Sequence, residues 1–387
     1  MDFQTRYNLL NAAQKQAVDT IEGPVMVIAG PGTGKTELLS MRAANILQKT
    51  DTLPENILCL TFTESGATAM RERLLKIIGP AAYKVAIHTF HSFGAEIMNQ
   101  NGQFFYHGSD FRPADELTSY EIIRQIFDEL DYNNPLAGKM NGDYTHIYDT
   151  LQTISELKRS GLTSDELLAI LDANDKILDI IEPKLTEIFS ARLAKTIIAQ
   201  LEPLVEITQK IDSSIDIPGI TPLSDVLADS LAVAIHEATN ENSTKPITAW
   251  RNAWMKKDAD NHFVLKSRAN GAKLRATSYV YYQYLLRMQE AKVYDFDDMI
   301  LRVVHAMEVF PELRYNLQER YQYIMVDEFQ DTNLAQMRIL YNLTNSEVAN
   351  GKPNILVVGD DDQAIYSFQG ADVGNIHAFL ELFPITK

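Results

Sequence analysis

The segment Ala29-Gly30-Pro31-Gly32-Thr33-Gly34-Lys35-Thr36 gathers glycines, a lysine and a hydroxyl into one short turn. That set of residues suits a phosphate. Glycines let successive backbone N–H groups point inward at an anion, and a helix beginning there adds its dipole. Lys35 would neutralise the outer phosphates of a nucleoside triphosphate, and the Thr36 hydroxyl would ligate magnesium. Ala29 stands where the strict pattern has glycine, a departure small enough to leave the reading intact. Far downstream, Tyr323-Ile324-Met325-Val326 runs into two carboxylates, Asp327 and Glu328. Asp327 would hold the magnesium through water, and Glu328 would orient and deprotonate an attacking water. Acids after a strand are common. Combined with the phosphate loop, they read as the second half of one Mg²⁺-nucleotide site.

Such groups need a sheet to hold them. Val25–Ala29, Ile57–Thr61 and Val85–Thr89 have the short, β-branched character of strands, as do Tyr323–Val326 and Ile355–Val358. Between them Asn11–Ile21, Lys35–Gln48, Ala67–Ile78 and His91–Gln100 carry helical periodicity. This alternation predicts an α/β fold with a parallel sheet flanked by helices. From about residue 117 to 287 strand character fades and amphipathic helical segments dominate, including Tyr120–Leu130 and Ser164–Leu171. The expected organisation is a discontinuous core over 1–110 and 288–387, interrupted by a mostly helical insertion over 111–287.

Composition narrows the setting. Of 387 residues, 45% are hydrophobic and 22% charged, the balance of a globular protein. No apolar run approaches the ~20 residues that span a bilayer, so no membrane partner is expected. The first residues lack a signal-peptide pattern. Cys59 is the single cysteine, which excludes an intrachain disulfide or a cysteine-based zinc site and favours a cytoplasmic setting. The net charge of −17 opposes a nucleic-acid partner at first sight. Yet Arg251 to Lys292 is rich in bases, and there Lys266, Arg268, Lys273 and Arg275 are candidate phosphate contacts. A solvated helix face is an equal reading of the same stripe.

Further segments make the assignment narrower. Leu10-Asn11-Ala12-Ala13-Gln14, Thr61-Phe62-Thr63, Thr89-Phe90-His91, Asp327-Glu328-Phe329-Gln330-Asp331-Thr332 and Gly359-Asp360-Asp361-Asp362-Gln363-Ala364-Ile365-Tyr366 occur in this order. Together they resemble the superfamily 1 DNA helicases of the UvrD/Rep/PcrA type, over residues 1–100 and 290–387 and weakly across the insertion. The resemblance implies a RecA-like core that binds ATP with Mg²⁺. Gln14 would read the adenine edge, Gln363 would sense the γ-phosphate, and Gln330 and Asp331 would lie beside the nucleotide. Thr61, Phe62, Thr63, Thr89, Phe90 and His91 would touch single-stranded DNA, with Tyr366 and Phe368 as further stacking candidates. For Phe62 and Phe90 core packing is the alternative. For Tyr294-Asp295-Phe296-Asp297-Asp298 a capped helix start and a DNA contact stand equal.

Three departures from the family pattern matter: Glu37 where an arginine often packs on adenine, Phe368-Gln369 where Trp-Arg is usual, and Glu64-Ser65 in place of a polar-basic pair. The resemblance further implies 3′-to-5′ translocation on single strands and at single-/double-strand junctions, with repair or recombination proteins as partners. The arginines that complete hydrolysis belong to motifs expected after Pro384, in a second RecA-like domain absent from this sequence. The chain alone is therefore expected to be nearly inactive as an ATPase. A motor subunit of a recombination helicase–nuclease is the main alternative. An ATP-gated DNA-binding module without turnover is a remoter one, opposed by the full set of Lys35, Thr36, Asp327, Glu328 and Gln363.

Overall fold

A computed structural model of the protein describes residues 3–30, 32–105, 111–191, 194, 196–212, 215, 217, 220–346, 352–360 and Phe379. Pro31, Gln363, Tyr366 and Phe368 lie outside the described residues. The chain divides into two compact units. The first comprises Met1–Ser119, Ser155–Leu162 and Met288–Lys387, and the second Tyr120–Ile154 and Thr163–Arg287.

The first unit is built on five parallel strands: β1 (Val25–Ile28), β2 (Ile57–Thr61), β3 (Ala86–Thr89), β4 (Tyr323–Val326) and β5 (Ile355–Gly359), in the order β1-β5-β4-β2-β3. Sequence and structure agree on all five to within a residue at either end. The three central strands, β2, β4 and β5, are buried along their whole length because both faces are covered. On one face Ile57, Cys59, Tyr323, Met325, Leu356 and Val358 are buried in a core shared with α2 (Ala12–Asp19), α3 (Lys35–Lys49) and α4 (Glu64–Ile78). On the other, Leu58, Leu60, Ile324, Val326, Ile355 and Val357 pack with residues of α5 (Phe90–Gln100), α13 (Phe296–Val309) and α15 (Leu334–Thr344). Each fully buried aliphatic side chain here stabilises the fold by about 1.5–3 kcal/mol relative to exposure.

The two halves of the chain meet at the sheet's carboxyl edge, where strand-end amides cross between neighbours. Ala29 N donates to Gly359 O at 2.8 Å and Asp327 N to Leu60 O at 2.8 Å. Parallel sheets place ligand sites at this edge.

Two devices brace the first unit. Arg42 on α3 is 1% exposed. Its guanidinium donates to Ala17 O at 2.6 Å, to Thr20 O, and to Ile21 O at 3.1 Å, closing the carboxyl end of α2. Burial pulls its pKa down to about 10, which leaves it cationic at neutral pH. The short strap Ser155–Leu162 comes from within the stretch expected to form the insertion, yet it packs in the first unit. Lys158, fully buried, pairs with Asp295 at 2.5 Å and Asp298 at 2.7 Å at the start of α13. Arg338 of α15 donates to Gly161 O and pairs with Glu308 at 2.7 Å.

The second unit is a helical body with a small hairpin, Met255–Lys257 against Phe263–Leu265. Its core joins α8 (Ser164–Ser190), α9 (Ile197–Gln209), α10 (Leu223–Asn240) and α11 (Lys245–Trp254) around Leu178, Leu185, Leu201, Leu231 and Trp250. The helix predicted to start at Ser164 runs on through Pro183 to Ser190, well beyond Leu171. No helix among the described residues is long and apolar enough to cross a membrane.

Replacing Arg42 by Leu removes three charge-assisted bonds and orphans buried carbonyls. It should cost roughly 2–4 kcal/mol of stability, read as a lower denaturant midpoint; an unchanged midpoint would contradict this bracing role.

Candidate nucleotide and DNA site

The phosphate loop forms because α3 begins abruptly. Gly34 caps it at φ +85°, in the left-handed region that suits glycine, and Gly32 also has positive φ, +71°. A Cβ built on Gly30 or Gly32 would meet nothing within 4 Å, so the loop backbone borders open space. Lys35 and Thr36 open the helix from this turn.

Across the sheet edge, β4 delivers the carboxylates to them. Lys35 Nζ lies 2.7 Å from Glu328 Oε2, and Thr36 Oγ1 donates to Asp327 Oδ2 at 3.4 Å. Residues nearly three hundred positions apart, 293 and 291 respectively, thus meet at one point. Glu328 adopts φ +49°, ψ +48°, a left-handed conformation costing about 1–2 kcal/mol for a side-chain-bearing residue. Its N–H donates to Asp327 Oδ1 at 3.0 Å. This turn points the two adjacent carboxylates at the phosphate loop.

Gln330, 2% exposed, ties the carboxylates to β5. Its Nε2 donates to Glu328 Oε2 at 3.0 Å, and its Oε1 accepts from Asp360 N at 2.9 Å. Gly359 is required by this approach: a Cβ there would come within 2.9 Å of Gln330 Oε1. Asp331, also buried, receives Gln330 Nε2 at 3.4 Å.

Gln14 sits against the same loop. Its Nε2 donates to Thr33 O at 2.9 Å, while its Oε1 accepts from Asn11 N at 2.9 Å in a capping box. One donor and one acceptor position of the amide are thereby engaged in bracing the loop. Glu37, in the first turn of α3, pairs with Arg6 Nη1 at 2.6 Å, so α1 (Phe3–Leu9) returns a guanidinium to the place where the sequence departs from the pattern it resembles.

Beside this centre, a hollow of about 500 Å³ opens at the ends of β2 and β3. Phe62, Glu64, His91, Arg159, Phe296 and Asp297 line it. His91 and Phe296 are stacked, ring centroids 3.7 Å apart, with Phe296 63% exposed. Burial pulls the His91 pKa down to about 4, so the ring is neutral at physiological pH.

The sequence candidates fall into different places around this hollow. Thr63 and Thr89 are helix N-caps, accepting from Gly66 N at 3.0 Å and Ser92 N at 3.1 Å. Thr89 Oγ1 also donates to Glu64 Oε1 at 3.0 Å. Thr61 is buried and Phe90, 2% exposed, packs in the sheet's core, while both also border the hollow. The most exposed ring of the hollow is Phe296. Its spacing to Met299, Ile300 and Val303, all buried, would place it in the core, so periodicity gave no sign of its exposure.

The two candidate arginines of the second unit are answered from within it. Arg268 pairs with Asp179 at 2.5 Å and Glu182 at 3.0 Å, and Arg275 with Asp172 at 2.7 Å and Asp175 at 2.6 Å. Lys273 reaches Asp149 at 3.9 Å, and Lys266 donates to Asn252 O at 2.9 Å. The acids at 172, 175, 179 and 182 recur at helical spacing on α8, facing the bases of α12 (Lys266–Glu290). The pairing answers Arg268 and Arg275, two of the stripe's four candidate phosphate contacts.

Burial, then the neighbouring Glu328, raises the Asp327 pKa from 3.8 to about 6. A carboxyl whose folded pKa is raised stabilises fully below pH 3.8, and that stability is lost as pH rises through 6. The loss is about 3 kcal/mol by pH 7.5. Asp327→Asn should therefore melt at a higher temperature than the parent at pH 7.5, with the gap closing toward pH 4.5. A variant less stable at pH 7.5 would contradict the electrostatic account.

The site's relatives can now be set beside its geometry. Residues 10–384 match the UvrD/REP helicase N-terminal domain. The ATP-dependent DNA helicase PcrA of Staphylococcus aureus is 27% identical over 377 residues, 97% of this chain and 36% of that protein. PcrA of Staphylococcus epidermidis is 29% identical over 378 residues, 98% of this chain and 37% of that protein. The chain spans little more than a third of the length of these relatives. A match across nearly its whole length makes this chain a member of the UvrD/REP helicase family, corresponding to the N-terminal domain.

Proposed function

We propose that this chain is the ATP-binding motor portion of an ATP-dependent DNA helicase that translocates 3′ to 5′ on single-stranded DNA. The observation that carries the reading is the convergence of Lys35 and Thr36 with Glu328 and Asp327 at one sheet edge.

The residues fit a magnesium–triphosphate. Thr36 Oγ1 and Asp327 Oδ2 bring two hard oxygen donors together, and the open space above Gly30 and Gly32 admits phosphate oxygens. Bound there, magnesium supplies charge neutralisation at the phosphates. The desolvated Asp327 would gain a second cation beside Lys35. A γ-phosphate that draws Lys35 away from Glu328 leaves that carboxylate free to orient water and accept its proton. Gln330 keeps Glu328 in place during that exchange and passes its position to Asp360, which leads directly into the segment carrying Gln363.

The DNA-contacting surface of this reading lies at the ends of β2 and β3. Phe62 and the exposed Phe296, stacked on His91, offer flat faces on which bases stack at about 1–3 kcal/mol each. Polarity, unwinding and action at junctions are taken from the family, and no residue here carries them.

Lys35→Ala should reduce binding of a fluorescent ATP analogue with Mg²⁺ by roughly 10- to 100-fold, the worth of a lost charge-assisted bond. Its affinity for single-stranded oligonucleotides should stay within about two-fold, since Lys35 is remote from the proposed stacking surface. Unchanged analogue binding would remove the nucleotide site from the account.

A further inference from the structure

The hollow at the ends of β2 and β3 has a charge that does not suit phosphate. Two carboxylates, Glu64 and Asp297, face it against one guanidinium, Arg159. Arg159 Nε is held by Asp297 Oδ1 at 3.2 Å. His91 adds no charge, because burial keeps it neutral. Lining cations are thus spent, and one negative charge remains. Glu64 is exposed on the first turn of α4. The Thr89 hydroxyl orients it through Oε1, and among the described residues no basic side chain pairs with it.

A phosphate entering here would meet net repulsion, with no free cation among the described lining residues to offset it. A nucleobase would meet the stacked His91–Phe296 face and a carboxylate at its edge. Carboxylates accept hydrogen bonds from exocyclic amino groups and repel keto oxygens. We propose that the hollow seats a nucleobase rather than a phosphate, and that Glu64 makes it selective for bases bearing an amino group over thymine or uracil. The inference rests on the reading of this edge as the single-strand surface. It predicts a base preference in a motor whose backbone contacts would be sequence-blind.

The test compares short oligodeoxycytidylate with oligodeoxyuridylate, which differ in the ring at the amino-versus-keto edge. Anisotropy titrations without nucleotide would use the full chain and its Glu64→Ala and Glu64→Gln forms. The parent should bind the cytidine oligomer roughly five-fold or more tightly, the scale of one good base-edge contact. Both variants should bring the ratio near one, mainly by weakening the cytidine complex. Glu64→Gln keeps the size of the side chain, so agreement between the two variants separates lost recognition from lost fold.

Equal parent affinities, or a ratio that survives both substitutions, would overturn the selectivity and leave the DNA surface standing. Equal strengthening of both oligomers by Glu64→Ala would assign the hollow to phosphate and likewise overturn it. Binding of neither oligomer would overturn the DNA surface itself, and the selectivity with it.

Discussion

A carboxylate taken out of water at a strand tip must find a cation, and the rest of the first unit follows from that need. Asp327 is 5% exposed beside a second carboxylate, and Lys35, which reaches the pair, sits on the phosphate loop. The sheet order β1-β5-β4-β2-β3 brings them together, since it inserts the two late strands between β1 and β2. The left-handed Glu328 and the positive-φ Gly34 are the local costs of aiming both groups at one volume. Such strain persists where surrounding structure fixes it. Here Gln330 and the adjacent strand do so.

The same bracing extends outward in layers. Gln330 joins the Asp327–Glu328 turn to β5, Gln14 joins α2 to the phosphate loop, and Arg42 holds α2 against α3. On the opposite side of the sheet edge, the buried Lys158 gathers Asp295 and Asp298 at the start of α13, which fixes the turn from which Phe296 projects. Breaking one partner of such a pair leaves an uncompensated buried charge, typically worth 3–5 kcal/mol. The candidate nucleotide and DNA surfaces therefore lie along one sheet edge within the first unit, each held by its own bracing.

Much of this was legible in the residues. Strands covered on both faces read as apolar runs, and a phosphate loop or an acidic strand end announces its chemistry through residue type. What stayed hidden depends on contacts between distant positions. The basic stripe looked free because Asp172, Asp175, Asp179 and Glu182 lie far from Arg268 and Arg275 in sequence. Thr63 and Thr89 stand out as DNA candidates by residue type, and only the backbone shows that their hydroxyls also cap α4 and α5. Phe90 and Phe296 look alike in sequence for a related reason. Both begin helices in phase with the apolar face, and only packing determines which ring is covered. The strap at 155–162 carries no compositional mark that separates it from the insertion around it.

The central claim is that one Mg²⁺-nucleotide is shared by the phosphate loop and the β4 tip. Crystals of the chain grown with Mn²⁺ and a non-hydrolysable ATP analogue would test it directly through the anomalous signal of the metal. The account predicts a single manganese peak beside Thr36 and Asp327, with phosphate density over Gly30–Gly34. A nucleotide held elsewhere, or a metal bound away from Asp327, would contradict it.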